Sequence, residues 1–169
     1  MVGGLAIIGP DRQHESLRMF FTSDLDVGVA LLRRDGFASI GSADPARGAM
    51  VVTVPLVFET PKRCLFVNLE GGLRSLAVLS TVDDTAPPLL TSATTPLPRT
   101  TNSTMIELPM KPGGVRNLAS LRGKLFRLAI ALEPGARLYA VWLSEAEGGQ
   151  SGGWLGSGGP GYPRGLRDV

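Results

Sequence analysis

The chain of 169 residues contains one cysteine, one histidine, three lysines and only 6% aromatic residues. Each scarcity excludes a class of protein. Cys64 stands alone, so no internal disulfide can staple the fold, which must rest on its apolar core. A single His14, far from Cys64, leaves no cluster of zinc-ligating spacing, and no metal or cofactor is expected. The 17 basic and 15 acidic residues give a net charge of +2, with no basic run longer than Arg33-Arg34 or Lys62-Arg63. A nucleic-acid binder concentrates its positive charge on one face, so nucleic acid is not an expected partner. No apolar run approaches the length of a membrane-spanning helix, and no membrane partner is expected. No Gly-x-x-x-x-Gly-Lys-Ser/Thr run is present to cradle phosphate. Long helices are missing too, because 22 Gly and 13 Pro interrupt the chain too often.

What is present is alternation with period two, the signature of half-buried strands. Ser16–Ser23 places Leu17, Met19 and Phe21 on one face, and Val27–Arg33 does the same with Val27, Val29 and Leu31. Asp35-Gly36 is a hairpin signal, with Phe37–Ile40 as the returning strand. Ala49–Phe58 aligns Val52, Val54, Leu56 and Phe58, and Pro55 removes one ladder donor, as at an edge or a bulge. Cys64–Leu69 and Leu73–Ser80 flank Glu70-Gly71-Gly72 and read as a second hairpin. Asp83–Arg99, rich in Pro and Thr, reads as a long loop. Ser103–Pro109 is a weaker strand, a turn follows at Lys111–Gly114, and Asn117–Leu121 suits one helical or 3-10 turn. Lys124–Glu133 directs Phe126, Leu128, Ile130 and Leu132 inward with Arg127 opposite. Pro134-Gly135 turns the chain so that Arg137–Leu143 pairs back, with Leu138, Ala140 and Trp142 on one side. From Glu145 the chain is Gly-rich and is expected to be irregular.

About nine short strands with turn signals roughly every 8–12 residues predict an all-β fold. The expected form is an antiparallel two-sheet β-sandwich of concanavalin or jelly-roll type, because the inward sets are bulky enough for a core about 10 Å thick. Its expected organisation is an N-terminal strand segment over 1–26, the sandwich over 27–144 and an irregular Gly-rich tail over 145–169. Met1–Pro10 has an apolar stretch without a basic region before it, a poor secretion signal. The alternatives are a cytosolic chain or a longer secreted protein whose start is missing.

Catalytic groupings are sparse. His14 lies in a polar stretch and suits a surface residue better than a general base. Glycosidases need two carboxyl groups about 5–9 Å apart. Asp83-Asp84 and the Asp24, Asp26 pair are the nearest candidates, and turn formation explains both. No catalytic residue is assigned. Among Tyr139, Trp142, Trp154 and Tyr162, Trp142 suits the core, while Tyr139, beside Arg137, is the open candidate for stacking on a sugar. Asn102-Ser103-Thr104 matches the N-glycosylation sequon.

Three segments carry a resemblance. Val29-Ala30-Leu31-Leu32-Arg33-Arg34-Asp35-Gly36-Phe37-Ala38-Ser39 resembles a signature near the start of the C-terminal β-sandwich of glycoside hydrolase family 32-like proteins. Leu65-Phe66-Val67-Asn68 with Gly72-Leu73-Arg74 is similar to a following hairpin of that domain. The stretch Leu118–Leu143, through Gly123-Lys124, Arg127-Leu128 and Ala136–Ala140, is similar to its closing strands. The resemblance implies an upstream five-bladed propeller that carries the catalytic acids. Only Ile7–Ser23 would represent its last strands here, and the propeller's acidic motifs are not in this chain.

The resulting expectation is a non-catalytic accessory β-sandwich module, with carbohydrate, a propeller domain or another protein chain as partner. Its candidate binding residues are Arg33, Arg34, Asp35, Asn68, Arg137 and Tyr139. Read from the residues alone, Arg33, Arg34 and Asp35 pair locally and Asn68 caps a hairpin end. Two alternatives stay open: an interaction or self-assembly module using an exposed strand edge, and a fragment of a glycosidase whose propeller is missing.

Overall fold

The computed structural model describes residues 2–8, 16–22, 27–82, 86–92, 95–111 and 118–150. The expectations at His14, Asp24, Asp26, Asp83, Asp84, Trp154 and Tyr162, and the turn after Lys111, lie outside these residues. In chain order the strands are β1 (Val2–Ile8), β2 (Ser16–Thr22), β3 (Val27–Arg33), β4 (Ala49–Val52), β5 (Cys64–Glu70) and β6 (Leu73–Ser80). They continue as β7 (Leu90–Ser92), β8 (Asn102–Glu107), β9 (Met110–Lys111), β10 (Phe126–Leu132) and β11 (Arg137–Ser144). One 3-10 turn, Leu118–Leu121, buries both its leucines.

Eight of these strands form the expected all-β sandwich. A five-stranded antiparallel sheet of order β4-β10-β6-β7-β9 packs against a three-stranded antiparallel sheet of order β11-β5-β8. The core between them takes Leu65, Val67 and Leu69 from β5 and Leu73, Leu76 and Val78 from β6. From β10 it takes Phe126, Leu128, Ile130 and Leu132, the inward set that the alternation predicts. Phe58 closes one end edge-on to Phe126, with ring centroids 5.8 Å apart. The first three strands make a separate antiparallel meander, β1-β2-β3, so Val27–Arg33 pairs with Ser16–Thr22 rather than within the sandwich. Among the described residues no helix is long and apolar enough to cross a membrane.

Both expected hairpins of the sandwich are instead arches. Cys64–Glu70 and Leu73–Ser80 lie in opposite sheets, and so do Phe126–Leu132 and Arg137–Ser144. The pairing is between the arches: β5 lies beside β11 and β6 beside β10. A two-stranded ribbon is thereby folded over the core. Its bends meet where Glu133 N donates to Gly72 O at 2.9 Å, and Gly71 has φ +88° against the backbone of Ala136. A short turn with glycine marks a reversal but does not choose between returning in the same sheet and crossing to the other. Burial chooses: β5 and β10 each need a facing layer for their bulky inward residues.

Other expectations change at breaks in periodicity. Asp35 adopts φ +52°, but Gly36 does not share a positive φ, and Gly36 N donates to Arg33 O at 2.9 Å. A type I′ hairpin needs both residues there, so Phe37–Ile40 does not return along β3. It crosses to the sandwich, where Ile40 and Leu138 exchange hydrogen bonds of 2.8 and 2.9 Å. In Ala49–Phe58 the ladder runs from Thr53 opposite Leu128 to Leu56 opposite Phe126, with one extra residue at Val54-Pro55. That bulge on an edge strand is the role Pro55 suggested, and it breaks the expected face. Val52 and Val54 point outward, whereas Leu56 and Phe58 reach the core. The Pro-rich stretch contains β7, whose Leu90 is buried against β6. After Glu145 the described residues, up to Gln150, form irregular turns as expected, and they are pinned where Trp142 Nε1 donates to Gly149 O at 2.8 Å and Ser144 Oγ donates to Ala146 O at 2.8 Å.

Two predictions test the folded ribbon. In Gly71→Ala the new Cβ would stand 2.7 Å from Ala136 Cα, whereas at Gly123, with φ +68°, it would meet nothing within 4 Å. Chemical denaturation should show Gly71→Ala losing roughly 2–4 kcal/mol, from backbone strain plus overpacking, and Gly123→Ala only roughly 1–2 kcal/mol. Near the same bend, Arg74 Nε donates to Glu133 Oε1 at 3.0 Å and Arg99 Nη2 to Oε2 at 3.5 Å. The hydrogen bond from Arg74 holds the Glu133 carboxyl below the usual carboxylate range. Its contribution is present above the unfolded pKa and is lost as pH falls through the lower folded value. Stability of Glu133→Gln should accordingly vary less with pH on the acid side than that of the parent protein.

Candidate functional site

β5 is the middle strand of the smaller sheet, and both its neighbours break register at Asn68. On one side Leu138 pairs with Leu69 but Ala140 pairs with Asn68, so Tyr139 is inserted into β11. On the other, Ile106 pairs with Val67 but Ser103 pairs with Leu69, so β8 also holds an extra residue. Ser103 Oγ spans that second bulge, accepting from Met105 N at 3.2 Å and donating to Met105 O at 3.1 Å. Bulges re-aim side chains, and these two act on one point of the outer surface.

The first bulge also corrects the placement of Trp142. Leu138 remains in the core, but beyond Tyr139 the parity reverses and Val141 and Leu143 take the inward positions. Trp142 faces outward and stacks on Phe66, with ring centroids 5.5 Å apart and planes at 17°.

Arg33, the last residue of β3, reaches this surface. Its Nε donates to Asn68 Oδ1 at 2.6 Å, its Nη2 donates to Leu69 O at 3.0 Å, and its Nη1 donates to Asn102 Oδ1. Its guanidinium carbon lies 4.8 Å from the centre of the Tyr139 ring, in the range of a cation–π contact. Asn68 is fully buried and uses both ends of its amide, since Nδ2 donates to Arg34 O at 2.7 Å. The Tyr139 hydroxyl donates to Glu70 Oε2 at 2.7 Å. Burial lowers the Arg33 pKa against the opposing pull of Tyr139 and Glu70. Burial, followed by the hydrogen bond to Glu70, raises that of Tyr139. The phenol therefore stays a donor at neutral pH.

Of the six residues singled out by sequence, Arg33, Asn68 and Tyr139 are brought into one cluster. Arg34 contributes its carbonyl, while its Nε lies 3.8 Å from Asp35 Oδ2, so the local pairing holds for these two. The Arg33 guanidinium does not pair locally; the three acceptors it reaches are on β5 and β8. Asn68 sits within a strand and caps no hairpin. Arg137, opposite Glu70, is exposed at the rim beside Tyr139. Sequence reasoning misses Glu70 and Asn102 as members, because the first reads as a turn residue and the second as a sequon. Only the pairing of β8 with β5 brings Asn102 close.

Away from this cluster, a concavity of about 580 Å³ lies beside buried Cys64 and Leu118 and is also lined by Glu145–Glu147. Its wall is held by an ion pair of 3.2 Å between Lys62 Nζ and Glu145 Oε1. Among the described residues no three His, Cys, Asp or Glu side chains gather to hold a metal ion. No family model, curated protein or solved structure matches the chain.

The cluster's hydrogen bonds join a strand of the meander to the sandwich. Asn68→Ala would leave the half-buried guanidinium without its Nε acceptor and should cost about 1–3 kcal/mol. In a double-mutant cycle with Arg33→Lys, the two losses should fall short of additivity by about 0.5–3 kcal/mol. Hydrogen exchange on either variant should show protection lost first in β3, with β10 unaffected.

Proposed function

We propose that this chain is a non-catalytic accessory β-sandwich module of a glycoside hydrolase-like protein, serving to seat a neighbouring sheet unit. The observation that carries the reading is the junction at Arg33. One guanidinium ties β3 to three acceptors on the sandwich, while no described side chain of β3 is buried. Val29 and Leu31 are 51% and 67% exposed. A three-stranded sheet stands alone only when its apolar face is packed, so apolar surface on β3 beside a fixed joint suits the attachment of further strands. The resemblance of Val29–Ser39 to the family 32-like signature supports a propeller as that unit. The Arg33 cluster suits a joint better than a sugar site, because Arg33, Asn68 and Tyr139 already direct hydrogen bonds at one another's neighbours rather than outward.

Added to the isolated propeller unit of a family 32-like hydrolase, the chain should bind it, and Leu31→Lys should weaken that binding at least tenfold by calorimetry. Purified alone, it should hydrolyse no fructoside. Failure of the parent chain to bind, or turnover by the chain itself, would overturn the reading.

A second reading, self-association, is favoured by the outer side of edge strand β4 and the segment after it. Met50, Val52 and Val54 are there 65%, 50% and 75% exposed. Light scattering that shows a monomer at high concentration would dispose of it.

A further inference from the structure

Asn102 begins β8, the edge strand of the smaller sheet, and its side chain is exposed. Asn102-Ser103-Thr104 is the chain's one Asn-x-Ser/Thr sequence, and its middle residue is not proline. The side-chain amide also has a defined orientation. A guanidinium carries only donors, so Arg33 Nη1 must face the carbonyl oxygen of Asn102. The amide nitrogen then lies on the side turned away from the clamp.

We propose that Asn102 is an acceptor site for an N-linked glycan. The sequon and the exposure of its asparagine support this assignment, and the use of Oδ1 rather than Nδ2 in the clamp makes the glycan compatible with the folded protein. In the transfer, Nδ2 attacks the anomeric carbon of a lipid-diphosphate-linked oligosaccharide. The C–N bond forms as the C–O bond to the diphosphate breaks; the lipid diphosphate leaves with the electron pair, and Nδ2 gives up one of its two protons to solvent. Transfer acts on the extended chain, where the Thr104 hydroxyl is accessible. In the folded protein Thr104 is buried and no longer needed for recognition. The carbonyl oxygen survives the reaction, so the glycosylated asparagine still accepts from Arg33. A bulky hydrated glycan at this point shields the start of an unpaired strand edge.

The test is expression of the full chain behind a cleavable secretion leader in a eukaryotic cell, read on both secreted and cell-associated protein. A single mobility shift is expected, removed by peptide N-glycosidase. Mass spectrometry in heavy-oxygen water should then find the glycosidase-generated aspartate at position 102. Asn102→Asp keeps an oxygen for Arg33, and Thr104→Val keeps the buried volume; both should lack the shift. Recovery of the parent chain with unmodified Asn102, or persistence of a glycosidase-sensitive shift in Asn102→Asp, would overturn the proposal. The parent chain's modified peptide decides the matter even if either variant is poorly secreted.

Discussion

Everything in the sandwich depends on one constraint: the ribbon made by β5–β6 and β10–β11 crosses the core twice, side by side. Each strand is bonded laterally to its counterpart in the other arch, while its bulky residues face the opposite sheet. The lateral bonds satisfy backbone groups, and the facing layers remove apolar surface from water. The two bends are also joined to each other, since Glu133 N at one corner donates to Gly72 O at the other. The remaining sandwich strands build outward from this ribbon: β4 and β7 at its five-stranded side, with β9 beyond β7, and β8 at the other.

The same strand, β5, serves two purposes through its two faces. Its inward residues are core, whereas Phe66 and Asn68 on the outer face are buried by later and earlier parts of the chain. Phe66 is covered by Trp142, with Gly149 close by. Asn68 is covered by Arg33 as the chain leaves the meander. A strand buried on both sides reads as nearly continuous hydrophobicity, and the polar exception, Asn68, marks where β3 of the meander meets the sandwich.

The sequence makes the sandwich legible because β10 and the inward half of β5 alternate without interruption. Period two identifies faces within a strand but is silent about which strands pair. For that reason the Gly71-Gly72 and Pro134-Gly135 turns look like hairpins until burial assigns their flanks to different sheets. Alternation also fails at an inserted residue. Pro55 signals its own bulge through the missing donor, whereas Tyr139 carries no such mark, so Trp142 looks like a core residue. The junction is legible only in part. Arg33, Asn68 and Tyr139 stand out as polar residues in apolar company, but their meeting depends on register between segments at least 35 positions apart.

The inserted Tyr139 has a further consequence for how this chain tolerates length changes. Most surface strands accept the loss of a residue by shortening a loop. Here the strand itself has a residue to spare: deletion of position 139 would restore a regular ladder and leave everything downstream in β11 on its present side, because Ala140 already stands opposite Asn68 and Val141 opposite Val67. The indole would keep its place on Phe66, and what would be lost is the phenol beside Arg33. The extra residue thus serves the junction rather than the ladder.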